Sequence, residues 1–229
     1  MVPIQYDVER ETDFNRLQLG TTIPDRLNSL LAEVDQSRGR IEDWYADLIV
    51  KVCLSLGRIC IDLLATTKIN ALPSAAWNAR NLLELWVWTK YCSVRDNARG
   101  FHEDAVRDMK GLAAAHPKMC GAAGIQDEFG QAAQDKLSKL ALDKLGLPSL
   151  DSNYTRVDEA AKAVGLENHY GPNYKFLSKL AHPTAGLVIG IMHQEESLRG
   201  LQRTCTTMGL YFAGQCVIAL EETLTRYVR

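Results

Sequence analysis

The chain lacks the features that mark membrane proteins, secreted proteins and most nucleic-acid binders. Its most apolar run, residues 48–64, contains three charged residues and is too short and too polar to span a bilayer. The amino-terminal segment has neither a basic stretch nor an apolar core, so no signal peptide is expected. The net charge is −2, and a protein that binds DNA by neutralising phosphates normally has a basic excess. We therefore expect no membrane span and no DNA binding.

The six cysteines form no Cys-x-x-Cys pair and lie mostly in apolar, helical stretches. This distribution is typical of buried free thiols in a reducing compartment, and it predicts a cytoplasmic protein without a zinc site. Gly-rich phosphate loops and nucleophile elbows are also missing. We accordingly expect no metal and no cofactor.

Strand signals are absent as well, because no stretch alternates apolar and polar residues between hairpin turn pairs. Almost every segment instead repeats apolar residues at intervals of three and four. The sequence predicts an all-α protein: one domain over 1–229 with seven to ten helices. Its core is expected over about 41–229, with the amino-terminal helices of residues 1–40 packed on it.

Proline and glycine positions set the predicted boundaries of these helices. The predicted helices cover about 7–19, 24–37, 41–69, 73–94, 96–115, 125–146 and 155–164, with loops at 116–124 and 147–153 and a turn at 170–173. The next helix must stop at His182, because Pro183 disfavours helical geometry in the residue before it. A last helix then runs to the carboxyl end, with a break near Gly200 and a close helix contact at Gly209.

The helix over 73–94 is apolar nearly all round, so it belongs in the middle of the bundle. Two charged residues, Arg80 and Glu84, nevertheless lie one turn apart on it, and Tyr91 falls on the same side. An ion pair of this spacing on a solvated helix is worth only about 0.2–0.5 kcal/mol. A surface pair therefore explains the placement poorly, and we expect the two charges to have further partners.

A second polar row supplies suitable partners. Tyr174, Ser178 and His182 recur every four residues and form one row along their helix. Two hydroxyls and an imidazole are groups that can satisfy a buried guanidinium and carboxylate. We therefore expect the two rows to meet.

Three interpretations of these six residues stay open at this point. The first is a buried network that fixes the register of the two helices, with no other role. The second is a pocket for a small polar ligand, a nucleotide or an RNA end. In the third, which is catalytic, His182 is the general acid and base, Glu84 orients it, and Arg80 stabilises an anion.

Two motifs in these helices resemble a group of uncharacterised bacterial helical proteins. They are Ala-Ala-x-x-Ala-Arg-x-Leu-Leu-Glu at 75–84 and Tyr-x-x-Leu-Ser-x-x-Ala-His-Pro-Thr at 174–184. Such proteins often occur near phage or mobile elements, and some resemble HEPN (higher-eukaryote and prokaryote nucleotide-binding) domains. The resemblance implies a HEPN-like helical core, a bacterial source and a mobile-element or phage-defence context.

HEPN ribonucleases use an arginine followed after four to six residues by a histidine. In this chain Arg95 and His102 have that spacing, whereas Arg80 has no histidine at the required distance. The resemblance and the apolar carboxy-terminal helix also favour a homodimer. We predict a non-enzymatic ligand-binding or protein-interaction module, and the alternative is a divergent HEPN-type ribonuclease or nucleotide-processing toxin.

Overall fold

A computed structural model describes residues 13–69, 71–124, 136, 155–190 and 195–228 of the chain. These residues form seven α-helices, a short π-helix and no strand. The helices are α1 (Asp13–Gln36), α2 (Asp43–Thr66), α3 (Leu72–Cys92), α4 (Arg95–Ala122), α5 (Val157–Ala163), α6 (Glu167–Ala181) and α7 (Glu195–Val228), and the π-helix is Gly186–Gly190. The all-α prediction is confirmed.

The chain divides into two compact units, and the single domain expected over 1–229 stays a prediction. The first unit combines the residues up to Ser93 with those from Val157 onward, and the second covers Val94–Arg156. In the first unit α1 packs on α2 and α7. The predicted helix over 125–146 and the loop over 147–153 lie outside the described residues, apart from Lys136.

Helix α3 is the centre of the first unit, as its apolar circumference predicts. It contacts α2, α5, α6 and α7 and buries side chains over a wide arc of its surface, among them Leu82 and Val87, which lie about 140° apart around the helix. Close packing with α7 depends on Gly209, where an added Cβ would lie 3.3 Å from the Cα of Ala79 and 2.5 Å from Cδ2 of Leu63. A small residue lets the two backbones approach, so the predicted close contact at Gly209 is confirmed.

Four predicted helix interruptions are wrong, because helices continue through Pro24, Pro117, Pro172 and Gly200. A proline inside a helix removes one hydrogen bond and costs about 3 kcal/mol, and packing can offset that loss. In α1 the offsetting residues are the buried Ile23, Leu27, Leu30 and Val34, and in α6 they are the buried Tyr170, Leu177 and Leu180.

The end of α6 agrees with its prediction. Helix α6 ends at Ala181, and His182 has an extended backbone with φ −107° and ψ 149° immediately before Pro183. Gly165 ends the segment after α5 with a left-handed φ of +71°, which glycine adopts at little cost. These two ends fix the length of α6, and therefore the position of the polar row on it.

Many apolar side chains of α7 are buried within the first unit. Leu210, Phe212, Ala213, Cys216 and Val217 are each fully buried. The apolar character of this helix is explained by its packing on α3, so it no longer argues for a dimer through the carboxy-terminal helix.

Candidate functional site

The structure brings the polar rows of α3 and α6 together around one guanidinium. Nε of Arg80 donates a hydrogen bond of 2.9 Å to Oε1 of Glu84, one turn further along α3. The cationic carbon of Arg80 lies 4.6 Å from the ring centre of Tyr174 on α6. Arg80 therefore contacts both helices at once.

A second aromatic ring covers Arg80 from its own helix. The ring centre of Trp77 lies 5.3 Å from the guanidinium carbon, which places the cation within range of two aromatic faces. Each such contact contributes about 0.5–2 kcal/mol, depending on how much water is excluded. Trp77 is 45% exposed, so α3 is not buried on every side as its apolar circumference suggests.

His182 closes the cluster from the end of α6. Its Nε2 lies 3.4 Å from NH1 of Arg80, and its ring packs edge-on against Trp77 with 5.8 Å between ring centres. A guanidinium can only donate hydrogen bonds, so His182 can take part in this contact only as the acceptor. We call Trp77, Arg80, Glu84, Tyr174 and His182 the Arg80 cluster.

The Arg80 cluster is half-open to solvent. The side chains of Arg80 and Glu84 are 17% and 25% exposed, and His182 is exposed. The fully buried network envisaged from the sequence is therefore wrong in its degree of burial, because α6 ends beside the cluster and does not extend over it. Water and solutes can reach the histidine and the tryptophan.

Ser178 and Tyr91 differ from the other predicted members. The Ser178 hydroxyl is buried and has no hydrogen-bond partner among the described residues, so the complete mutual satisfaction expected from the sequence is not reached. Tyr91 lies two turns beyond Glu84 on α3, where its ring packs edge-on against Trp88 at 5.9 Å.

Tyr170 is a neighbour that the sequence reasoning missed. Tyr174 lies one turn further along α6 than Tyr170, and the centres of the two rings are 5.1 Å apart. Burial raises the pKa of its hydroxyl strongly, and the Glu84 carboxylate raises that pKa further, whereas Arg80 lowers it. The hydroxyl is therefore protonated at neutral pH. Its i, i+4 spacing from Tyr174 was a usable signal, but the expected turn at 170–173 concealed it.

Part of the Arg80 guanidinium is unused within the described structure. Nε binds Glu84 and NH1 faces His182 at a long distance, while NH2 has no hydrogen-bond partner among the residues described. The edge formed by NH1 and NH2 is one of the two guanidinium edges that bind carboxylates and phosphates with two parallel hydrogen bonds.

The weaker pair of candidates, Arg95 and His102, belongs to the second unit. Both lie on α4, seven residues apart, and this spacing places them on one side of the helix two turns from each other. Arg95 is exposed and His102 is half-buried. Their catalytic role stays a prediction.

The described residues contain no group of three or more histidine, cysteine, aspartate or glutamate side chains that could hold a metal ion. No helix among the described residues is long and apolar enough to cross a membrane.

Comparison with known proteins places the chain in a family. Searches of curated proteins and of solved structures find nothing similar to the chain. Residues 46–197 match the model of a family described as "Family of unknown function (DUF5677)". This range contains both polar rows and the Arg95 and His102 pair. Since the match covers more than half of the sequence, the chain belongs to the DUF5677 family of unknown function.

Proposed function

We propose that the chain is a non-enzymatic binding module whose Arg80 cluster binds a ligand with an oxyanion next to a flat ring, a nucleotide being the simplest example. The observation that supports this most directly is the Arg80 guanidinium. Glu84 and two aromatic rings hold it in place, yet its NH1 and NH2 edge is not used for a strong hydrogen bond.

Pre-orientation matters because an ordered arginine loses little side-chain entropy when it binds an anion. The ion pair with Glu84 fixes the long side chain at its Nε, and the rings of Trp77 and Tyr174 restrict its plane. A phosphate or carboxylate would displace the weak 3.4 Å contact with His182 and gain two charge-assisted hydrogen bonds.

The flat part of the ligand has a natural contact in Trp77. Its ring is 45% exposed and adjoins the guanidinium, and base stacking on an aromatic side chain contributes about 1–3 kcal/mol.

Thermal-shift and calorimetric titrations with three probes test the proposal: a nucleoside monophosphate, the same nucleoside without phosphate, and inorganic phosphate alone. The nucleotide is expected to bind more tightly than either part. Arg80→Lys keeps the charge but loses the two-pronged geometry, so it should weaken nucleotide binding by at least about tenfold. Trp77→Ala should reduce the advantage of the nucleotide over inorganic phosphate.

Arg58→Lys is the matched control, because Arg58 is exposed on α2 and outside the cluster. It should leave binding unchanged. Equal binding by Arg80→Lys and the unaltered chain, or no nucleotide binding at millimolar concentration, would contradict the proposal. The cluster would then be explained by its role in joining α3 to α6.

The second candidate is ribonuclease activity at Arg95 and His102, which is supported by their shared side of α4 and by the HEPN resemblance. In that case expression of the chain should be toxic and degrade RNA, and His102→Ala should relieve the toxicity. His116→Ala, on the same helix, is the control and should stay toxic. Toxicity that His102→Ala leaves unchanged would contradict this candidate.

We also propose a reducing, cytoplasmic location, because all six cysteines have free, buried thiols. The HEPN-like core and the mobile-element or phage-defence context are further parts of the proposal, and they rest on the sequence resemblance alone.

A further inference from the structure

One face of α2 presents large apolar side chains to solvent at a regular spacing. Leu54 and Ile61 are seven residues apart and are 58% and 68% exposed. Seven residues before Leu54 lies Asp47, and seven residues after Ile61 lies Lys68, in the turn that follows the helix. We call this row the α2 stripe, and it consists of Asp47, Leu54, Ile61 and Lys68. The stripe is apolar in its middle and carries opposite charges at its two ends.

A groove of about 570 Å³ runs beside the stripe, between α1 and α2. Its wall includes Leu27 and Leu31 from α1 and Leu54 and Ile61 from the stripe, and Gly57 leaves room near its centre. A Cβ added at Gly57 would meet only the tip of Leu27, at 3.7 Å. The groove is large enough to receive side chains from an opposing helix.

We propose that the α2 stripe is the contact surface for a second copy of this chain, with the two α2 helices antiparallel about a two-fold axis between Gly57 and Arg58. Such an axis places each residue of one copy opposite a residue of the other copy, and the two residue numbers add up to 115. Leu54 of each copy then faces Ile61 of the other, and Asp47 faces Lys68.

This self-complementarity is the reason to choose a second copy as the occupant. A two-fold interface requires one surface to match itself, and the stripe does so in both hydrophobicity and charge. Lys51 and Asp62 flank the stripe. In the dimer, Lys51 of one copy would lie near Asp62 of the other, two positions along the helix from the residue directly opposite it. Lys51, Asp62 and Lys68 have no ion-pair partner among the described residues, whereas Asp47 pairs with Arg38 at 3.1 Å, so in the dimer Lys68 would share the Asp47 carboxylate with Arg38.

The first test is the mass of the full chain in solution by light scattering across a dilution series. The expected mass at high micromolar concentration is twice the 25.5 kDa of one chain. Ile61→Asp would bury an unpaired carboxylate in the contact and should weaken dimerisation by at least about tenfold. Val188→Asp is the control, because Val188 is 57% exposed and outside α2, and it should leave the dimer unchanged.

The second test exchanges the terminal charges and examines the register. Asp47→Lys and Lys68→Asp should each weaken the dimer, because each places like charges opposite one another. The double variant restores opposite charges across the two-fold axis and should recover the dimer.

Three results would overturn the proposal. One is a monomer at every concentration, which would mean that another partner or another part of the same chain occupies the groove. Another is a dimer that Ile61→Asp does not weaken, which would place the contact elsewhere. The third is a double variant that dimerises no more tightly than either single variant, which would exclude the antiparallel register.

Discussion

Substituting Gly209 by alanine tests whether the first unit depends on the close approach of α7 to α3. Two effects oppose each other at this position. Alanine favours the interior of a helix over glycine by about 0.8–1.0 kcal/mol. Its Cβ would lie 2.5 Å from Cδ2 of Leu63 and 3.3 Å from the Cα and Cβ of Ala79. The Leu63 side chain can rotate away, but the backbone of Ala79 cannot move without shifting α3.

Gly214 provides the matched control on the same helix, because a Cβ added there meets nothing within 4 Å. Gly214→Ala should stabilise the chain by about 0.5–1 kcal/mol through helix propensity alone. Overpacking typically costs about 1–3 kcal/mol, so Gly209→Ala should have a free energy of unfolding lower than that of Gly214→Ala by a similar amount.

Urea denaturation followed by circular dichroism measures both free energies, with the slope of the transition as a check on two-state behaviour. The difference between the two variants removes the common propensity effect and isolates the clash. Equal stabilisation by both substitutions would refute the reasoning, because it would show that α3 and α7 have room for a methyl group between them.

Two further predictions concern groups elsewhere in the first unit. Tyr45→Phe should lower the free energy of unfolding by about 1 kcal/mol, because the buried hydroxyl donates a 2.8 Å hydrogen bond to the carbonyl oxygen of Cys92; an unchanged denaturation midpoint would contradict this. Stability should also fall as pH rises from about 9 to about 12. Burial raises the pKa of Cys60 to about 12, so unfolded thiols release protons in this interval while the folded thiol retains its proton. Cys60→Ala should make the fall shallower by up to about 1.4 kcal/mol per pH unit, as measured by urea titrations at several pH values, and an unaltered slope would count against the assignment.

The proposed function and the proposed dimer can fail separately, because they use different surfaces. Nucleotide binding depends on the Arg80 cluster of α3 and α6, whereas the dimer depends on the α2 stripe. The Ile61→Asp variant is therefore expected to be a monomer that still binds nucleotide. The Arg80→Lys variant is expected to bind nucleotide weakly and still form the dimer.

The sequence predicted the polar rows because helical spacing is local. Residues four apart lie on one side of a helix whatever surrounds it, so the grouping of Arg80 with Glu84 needed no tertiary information. The end of α6 at His182 was equally local, because Pro183 acts directly on the residue before it. These two features bring His182 to the end of α6 that lies beside Arg80.

The solvent exposure of a side chain could not be predicted from local spacing. Trp77 looks like a core residue because tryptophan is largely buried on average, yet α6 ends before it covers that ring. The continuation of helices through Pro24 and Pro172 was also hidden, since burial by neighbouring helices offsets the lost hydrogen bond.

The sequence by itself determined that the described chain is helical, that α3 lies at the centre of the first unit, and which residues share a helical face. Apolar periodicity and proline geometry act within a few residues, so they can be read without knowing the neighbours. Only the tertiary structure decided that the rings of Trp77 and Tyr174 enclose Arg80, that one guanidinium edge is available, and that Leu54 and Ile61 face solvent. These properties depend on which helices pack together and where each one ends, and packing is a property of the whole unit.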